Sequence, residues 1–222
     1  MLAVDETVAV GSTGTPTDIA GTFASAPEQN DLISAVVMTR SSTLTNPSGY
    51  TTDLEVLNAV ETDILRFTYK VAGASESDTV TFTGMSGSDG SALHLREISG
   101  GATASVEDAE GSTGRTTGVT SLASGDAVTG NADDILIAGV AIRNAITNPS
   151  VTNSFVNLQH SAGNAGLEAT LLTAERIVAA TGTYNTTASW TNSVTAWAGI
   201  VSYKAAAAGT SILRQMMMHH GG

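Results

Sequence analysis

Two stretches of this chain are apolar on both parities at once. In Asp31 to Arg40 (DLISAVVMTR), Leu32, Val36 and Met38 occupy one parity and Ile33, Ala35 and Val37 the other; Asp134 to Ile142 (DILIAGVAI) does the same. A strand with one wet face alternates, so a run that is apolar on both belongs in the middle of a sheet covered on both sides. Each run leads to the same turn string, Thr45-Asn46-Pro47-Ser48 and Thr147-Asn148-Pro149-Ser150. Asn suits the first turn position and Pro presets the second. The chain therefore reads as two similar halves, about 30–98 and 132–204, each opening on a buried strand.

The remaining pattern is also β. Asp63 to Val71 (DILRFTYKV) alternates, with Leu65, Phe67, Tyr69 and Val71 inward and Arg66, Thr68 and Lys70 toward water. Thr79 to Thr83 repeats the alternation, and Leu93 to Ile98 (LHLREI) puts Leu93 and Leu95 on one side and His94 on the wet one. Val151 to Gln159, Tyr184 to Trp190 and Thr195 to Lys204 read as strands of the second half. Gly166 to Ala180 has both helical and strand periodicity; the echo aligns it with Asp63 to Ala72 and so assigns it mostly as strand. The same echo sets Glu76–Phe82 against Asn185–Trp190 and Ser91–Ile98 against Thr195–Tyr203. In the Gly/Ser/Thr-rich stretch 99–131, one or two short strands are expected, around Gly114 to Leu122.

Composition narrows the function. Thr, Ser, Ala and Gly make up about half of the 222 residues, which suits pleated strands and turns rather than a helical bundle. The net charge is −12, with nine cations against twenty-one acids, and no cluster of cations exists to grip phosphate. Nucleic-acid binding and attraction to an anionic membrane are both disfavoured. Cysteine is absent, which excludes disulfides, thiol catalysis and Cys-based zinc sites. Apolar runs are too short to span a bilayer as helices. The segment MLAVDETVAV carries acids and no basic n-region, so it does not read as a secretory signal.

No residues read as catalytic or metal-ligating. No Gly-x-Ser-x-Gly elbow accompanies the histidines His94, His160, His219 and His220. The carboxylates at Asp53/Glu55, Glu107/Asp108/Glu110 and Asp133/Asp134 read as surface charge, with a hydrolase as the remote alternative. No cofactor is expected, a structural calcium ion at an oxygen-rich loop being left open. Trp190 and Trp197 read as core; Tyr50, after its proline turn, and Tyr184 are the aromatics placed to stack on a glycan. Residues 1–29 read as an N-terminal arm and 206–222 as a C-terminal docking tail. In that tail Ile212, Leu213, Met216, Met217 and Met218 follow an Ala/Gly spacer and are the candidate partner-binding residues; burying them fully is worth roughly 1.5–3 kcal/mol each.

Over residues 30–205 the strings NDLISAVVMT, YKVAGASESDTVTFT, ADDILIAGVAI and TASWTNSVTAWAGIVSYK resemble the jelly-roll modules of tailed-bacteriophage structural proteins. The resemblance carries no active-site residues. It implies an all-β, two-sheet antiparallel β-sandwich, jelly-roll-like, with extended N- and C-terminal arms. It also implies a non-enzymatic virion component of the capsid-decoration, head-fibre or tail-associated kind. Such a protein would be assembled in the host cytoplasm and carried in the particle. Other virion proteins would be its partners, and it would form a homo-oligomer, with a trimer among the options. The alternative is a glycan-binding adhesion module that recognises host-surface sugars.

Overall fold

The computed structural model describes residues 1–12, 16–58, 60, 62–85, 90–162 and 169–207. The first half contributes β1 (Ala3–Gly11), β2 (Ile19–Thr22), β3 (Leu32–Thr39), β4 (Thr51–Asn58), β5 (Asp63–Val71), β6 (Thr79–Phe82) and β7 (Ser91–Ser99). The second contributes β8 (Glu107–Ala123), β9 (Ala127–Thr129), β10 (Ile135–Arg143), β11 (Ser150–Val151), β12 (Val156–Ala162), β13 (Thr170–Ile177), β14 (Gly182–Tyr184) and β15 (Thr187–Tyr203). The protein is all-β, and its strand pairings are antiparallel. In the ambiguous stretch Gly166 to Ala180, Thr170–Ile177 is strand, β13.

Each half completes its own sheet. The first sheet runs β1-β7-β3-β5-β4; the second runs β15-β10-β13-β12, with β8 on the outer side of β15 and β11 beside it. A jelly roll would pass the chain back and forth between the sheets, so the interleaving implied by the resemblance is corrected, while the two-sheet sandwich stands. The halves instead repeat each other strand for strand: β8-β15-β10-β13-β12 matches β1-β7-β3-β5-β4, and the small sheet β9·β14 matches β2·β6. Register agrees as well. Leu32 pairs with Val71 and Ile98, and Ile135 pairs with Ile177 and Tyr203. The repeat thus begins at β1 rather than at residue 30. The expected N-terminal arm is corrected accordingly: its residues include an edge strand paired with β7 and a second strand paired with β6. The match of Glu76–Phe82 shifts too, to Gly182–Tyr184.

The large sheets pack face to face and each small sheet covers one outer face, giving four layers. The central core joins Leu32, Val36, Leu65, Phe67 and Ile98 to Ile137, Leu171, Trp197 and Val201. Ile33, Val37, Leu93 and Leu95 turn the other way, under Ile19, Val80 and Phe82 of the small sheet. In the second half Leu136, Ala138 and Ile200 lie under Ala127, Phe155 and Val178, and Trp190 closes a further cluster. Both tryptophans are buried, as expected. This double cover explains why the central strands are apolar on both parities. It also corrects Thr68, expected in water and fully buried here, and Arg66, half-buried and donating to Leu44 O and Asn46 Oδ1.

Phe67 lies close against the backbone of two strands of the opposite sheet. A Cβ added at Gly139 would stand 2.9 Å from the Phe67 ring, and one at Gly199 2.8 Å from it and 2.7 Å from Leu54. Gly199→Ala is therefore expected to overpack the core and cost about 1–2 kcal/mol, read as a lower midpoint in chemical denaturation. Pairing it with Phe67→Leu should recover part of that loss.

Candidate functional site

Both described ends of the chain meet at one pole of the sandwich, beside the link between the halves. Ala206 N donates to Gly100 O at 2.7 Å, Ala102 N to Lys204 O at 2.9 Å, and Gly101 bridges Ala205. Gly100 in turn lies so close to the Met1 carbonyl that a Cβ there would collide with it. A pocket of about 650 Å³ opens at the same place, lined by Ala102–Ala104, Asn131–Asp133 and Lys204–Ala207. Two further recesses flank β1. One is acidic, lined by Asp5, Glu6, Glu28, Asp31 and Glu97. The other is a groove where Val4, Val156 and Ile177 line up with Glu175 and Arg176. Val156 and Ile177 are about half exposed, at 55% and 50%, and Met1 is fully exposed.

The repeat places an acid pair in each half of this pole. The register of β1 shifts between Val4 and Glu6, and that of β15 against β8 between Ser202 and Tyr203, so Asp5 and Asp108 occupy matching bulges. Each faces the residue that opens a central strand, Asp31 or Asp134. Asp134 is fully buried. Burial and then the neighbouring Asp108 push its carboxyl up to about 7. Burial pushes Asp108 up, but hydrogen bonds outweigh it and hold the carboxyl low, first that with Asp134 and then those from Gly130 N and Asn131. Asp31 is raised to about 6 by burial, then by Glu97 and Asp5. Asp53, whose Oδ2 accepts from the Tyr203 hydroxyl at 2.8 Å, is raised by burial to about 7.

Between the large sheets runs a polar lane, and it overturns the placing of His94 in water. His94 is fully buried; Nδ1 lies 2.8 Å from Thr173 Oγ1 and Nε2 2.9 Å from Ser161 Oγ. Arg96 Nη2 donates to the same Thr173 hydroxyl at 2.9 Å, and its Nε donates to Glu175 Oε2. The exposed Asn157 closes the lane by donating to Glu175 Oε1. Burial first, and then Arg96, hold His94 well below its ordinary pKa, so it is neutral.

The Ser161–His94 contact has hydrolase spacing but the wrong third partner. A triad sets a carboxylate at Nδ1 to stabilise the imidazolium. Here a hydroxyl sits there, and the Arg96 guanidinium behind it opposes that charge. The hydrogen bonds of the lane tie β7 to β12 and β13. By ladder position His94, Arg96, Thr173 and Glu175 match Gly199, Val201, Phe67 and Tyr69 of the opposite lane, which is largely apolar.

The two tyrosines singled out for glycan are not brought together. Tyr50 is half-buried over the first outer core, edge-on to Phe82 at 6.3 Å. Tyr184 sits over the second outer core, its hydroxyl donating to Ala180 O at 2.7 Å and Arg176 lying 5.0 Å above the ring. Ile212, Leu213, Met216, Met217 and Met218 lie outside the described residues. Among the described residues no three His, Cys, Asp or Glu side chains form a metal-holding group, and no helix is long and apolar enough to cross a membrane. No family model, curated protein or solved structure matches the chain.

Proposed function

We propose that the protein is a non-enzymatic structural component of a virion, a doubled β-sandwich attached to its neighbours through the residues that follow Ala207. One observation carries the reading. The last described residues lie at the pole where Met1, Gly100 and Ala206 converge, and the sequence continues through a Gly-Thr-Ser spacer into Ile212, Leu213 and Met216–Met218. A body whose strands are mutually buried, with an apolar run in the sequence beyond Ala207, suits attachment better than turnover of a small substrate. The earlier idea of two arms reduces to one, because β1 belongs to the sheet.

Deleting residues 209–222 is expected to leave the melting temperature within about 2 °C of the full chain. Incorporation into particles and higher-order association in sedimentation should be lost. Undiminished incorporation would remove the proposal. A second reading, glycan binding, has one surface in its favour: Asn153 Nδ2 donates to Asn185 Oδ1 at 2.9 Å and Asn185 Nδ2 to Asp126 Oδ1 at 2.6 Å, beside Tyr184. Hits on a glycan array that depend on Tyr184 would favour it over the first.

A further inference from the structure

We propose that the inner face of each half is an interface that accepts the other half and rejects a copy of its own kind, so that first half pairs with second half whether the two belong to one chain or to neighbouring copies.

Two rows of side chains carry this rule. Phe67, Val36 and His94 stand side by side across β5, β3 and β7, and Thr173, Gly139 and Gly199 hold the matching places across β13, β10 and β15. The first row is bulky, the second is small, and the two interlock. A Cβ on Gly139 would meet Phe67 at 2.9 Å and Val36 at 3.1 Å, one on Gly199 would meet Phe67 at 2.8 Å, and His94 reaches across to the Thr173 hydroxyl. Two residues along, charge takes the place of size. Arg96 projects from the first half and Glu175 from the second, buried against each other, while Tyr69 and Val201 hold the matching places.

The facing is reciprocal: β7 lies over β13, and their counterparts β15 and β5 lie over each other. That arrangement fixes what a wrong pairing would bring together. Two first halves would set His94 against Phe67, Val36 against its own copy and Arg96 against Tyr69, an overfilled core with cations buried without counter-ions. Two second halves would set Thr173 against Gly199, Gly139 against its own copy and Glu175 against Val201, a void with carboxylates buried alone. Overfilling, voids and unpaired buried charge are each destabilising. Discrimination between partners comes from such mismatches as much as from the contacts of the correct pair. Holding the sheets together does not require the ion pair, since apolar groups of similar volume commonly do as well. The pair acquires a use where copies fold near one another, because the halves share one strand order and register and would otherwise be interchangeable.

The test refolds the full chain from denaturant. Val36→Cys supplies the reporter: the chain has no cysteine of its own, and position 36, which lies against Gly139 in the native pairing, meets its own copy when two first halves face each other. About eight Gly/Ser residues inserted between the exposed Thr103 and Ala104 give every variant the same reach for exchange. With the native lane, refolding under mild oxidation is expected to give reduced monomer. Arg96→Val/Glu175→Tyr removes charge from both faces and is expected to raise the dimer linked through position 36 at least about tenfold at equal concentration. Arg96→Glu/Glu175→Arg, which turns the pair round and keeps it complementary, should remain monomeric. An uncharged lane that dimerises no more than the native one would overturn the proposal. So would a dimer lacking the disulfide, since halves exchanged in the native sense keep position 36 against Gly139. Melting curves identify any variant that fails to fold, and a second measurement covers that case. Arg96→Glu alone sets two acids in its own lane, and Glu175→Arg alone sets two cations. Refolded together, these chains are expected to give a folded dimer in which each first half takes the other chain's second half, at least about tenfold above the folded yield of either chain alone. A mixture that yields no more than the separate chains would also refute the pairing rule.

Discussion

Arg96→Met should be the most damaging single substitution in this protein, costing about 3–5 kcal/mol. The Arg96 side chain is fully enclosed and donates to Glu175, itself almost fully buried. With the guanidinium gone, Glu175 keeps only the Asn157 amide, and its charge is left in a low-dielectric gap without a counter-ion. The drop in melting temperature should be about 10 °C or more for a chain of this size. Glu175→Leu alone should be comparably harmful, since it strands Arg96. The double variant Arg96→Val/Glu175→Tyr is the informative one, because Val201 and Tyr69 hold those ladder positions in the opposite lane. It should recover most of the loss, because replacing a buried ion pair with apolar groups of similar volume is commonly neutral or better. A double variant no more stable than the sum of the singles would mean that the two residues are not coupled.

The comparison of lanes separates what the sequence could show from what it could not. The central strands were readable because Leu32–Met38 and Ile135–Ile142 are apolar on both parities, and β13 because the echo aligned it with β5. His94 was misread, and Arg96 passed over, because parity distinguishes the two faces of a strand but not water from a second sheet. Leu93 and Leu95 face the small sheet β2·β6, so the alternate positions looked wet, yet they face the other large sheet. A signal was present. LHLREI sits in the slot of TAWAGIVSY, which is apolar on both faces, and an echo partner buried on both sides argues that His94 and Arg96 are buried too.

Other features were hidden for different reasons. β1 was hidden because an edge strand is half-exposed along its length and its acids mask the alternation of Val4, Glu6, Val8 and Val10. The division of the strands between sheets was also invisible, since two repeating halves pattern identically whether they interleave or stand apart. Partners for the lane, Thr173 and Glu175, come from the other half of the chain, and no local spacing announces them.

Asp134→Asn is expected to stabilise the protein at pH 8 and to leave it unchanged at pH 4. The carboxyl is raised in the folded state, so the folded chain holds a proton that the unfolded chain has released over the window from about 4 to about 7. Stability from this group is complete below the unfolded value and is lost as pH rises through the folded one. A shift from 3.8 to about 7 corresponds to about 4 kcal/mol at full weight. Screening from the partly open Asp108 side reduces this to about 2–3 kcal/mol, or about 5–10 °C in melting temperature. An asparagine removes the charge while still donating to the Asp108 carboxylate, as the protonated acid does. The comparison must be made between variants, because the native profile combines opposing groups. Asp31 and Asp53 are raised as Asp134 is and lose stability as pH rises. His94 and His160 are lowered by burial and lose stability as pH falls below 6.5. These contributions offset one another between pH 5 and pH 7 and flatten the melting curve of the unmodified chain. The difference between Asp134→Asn and the unmodified protein cancels every group except the coupled Asp134 and Asp108. It should grow from nothing at pH 4 to its full value by pH 8, and a difference that stays constant across that range would show that Asp134 carries the same charge in both states.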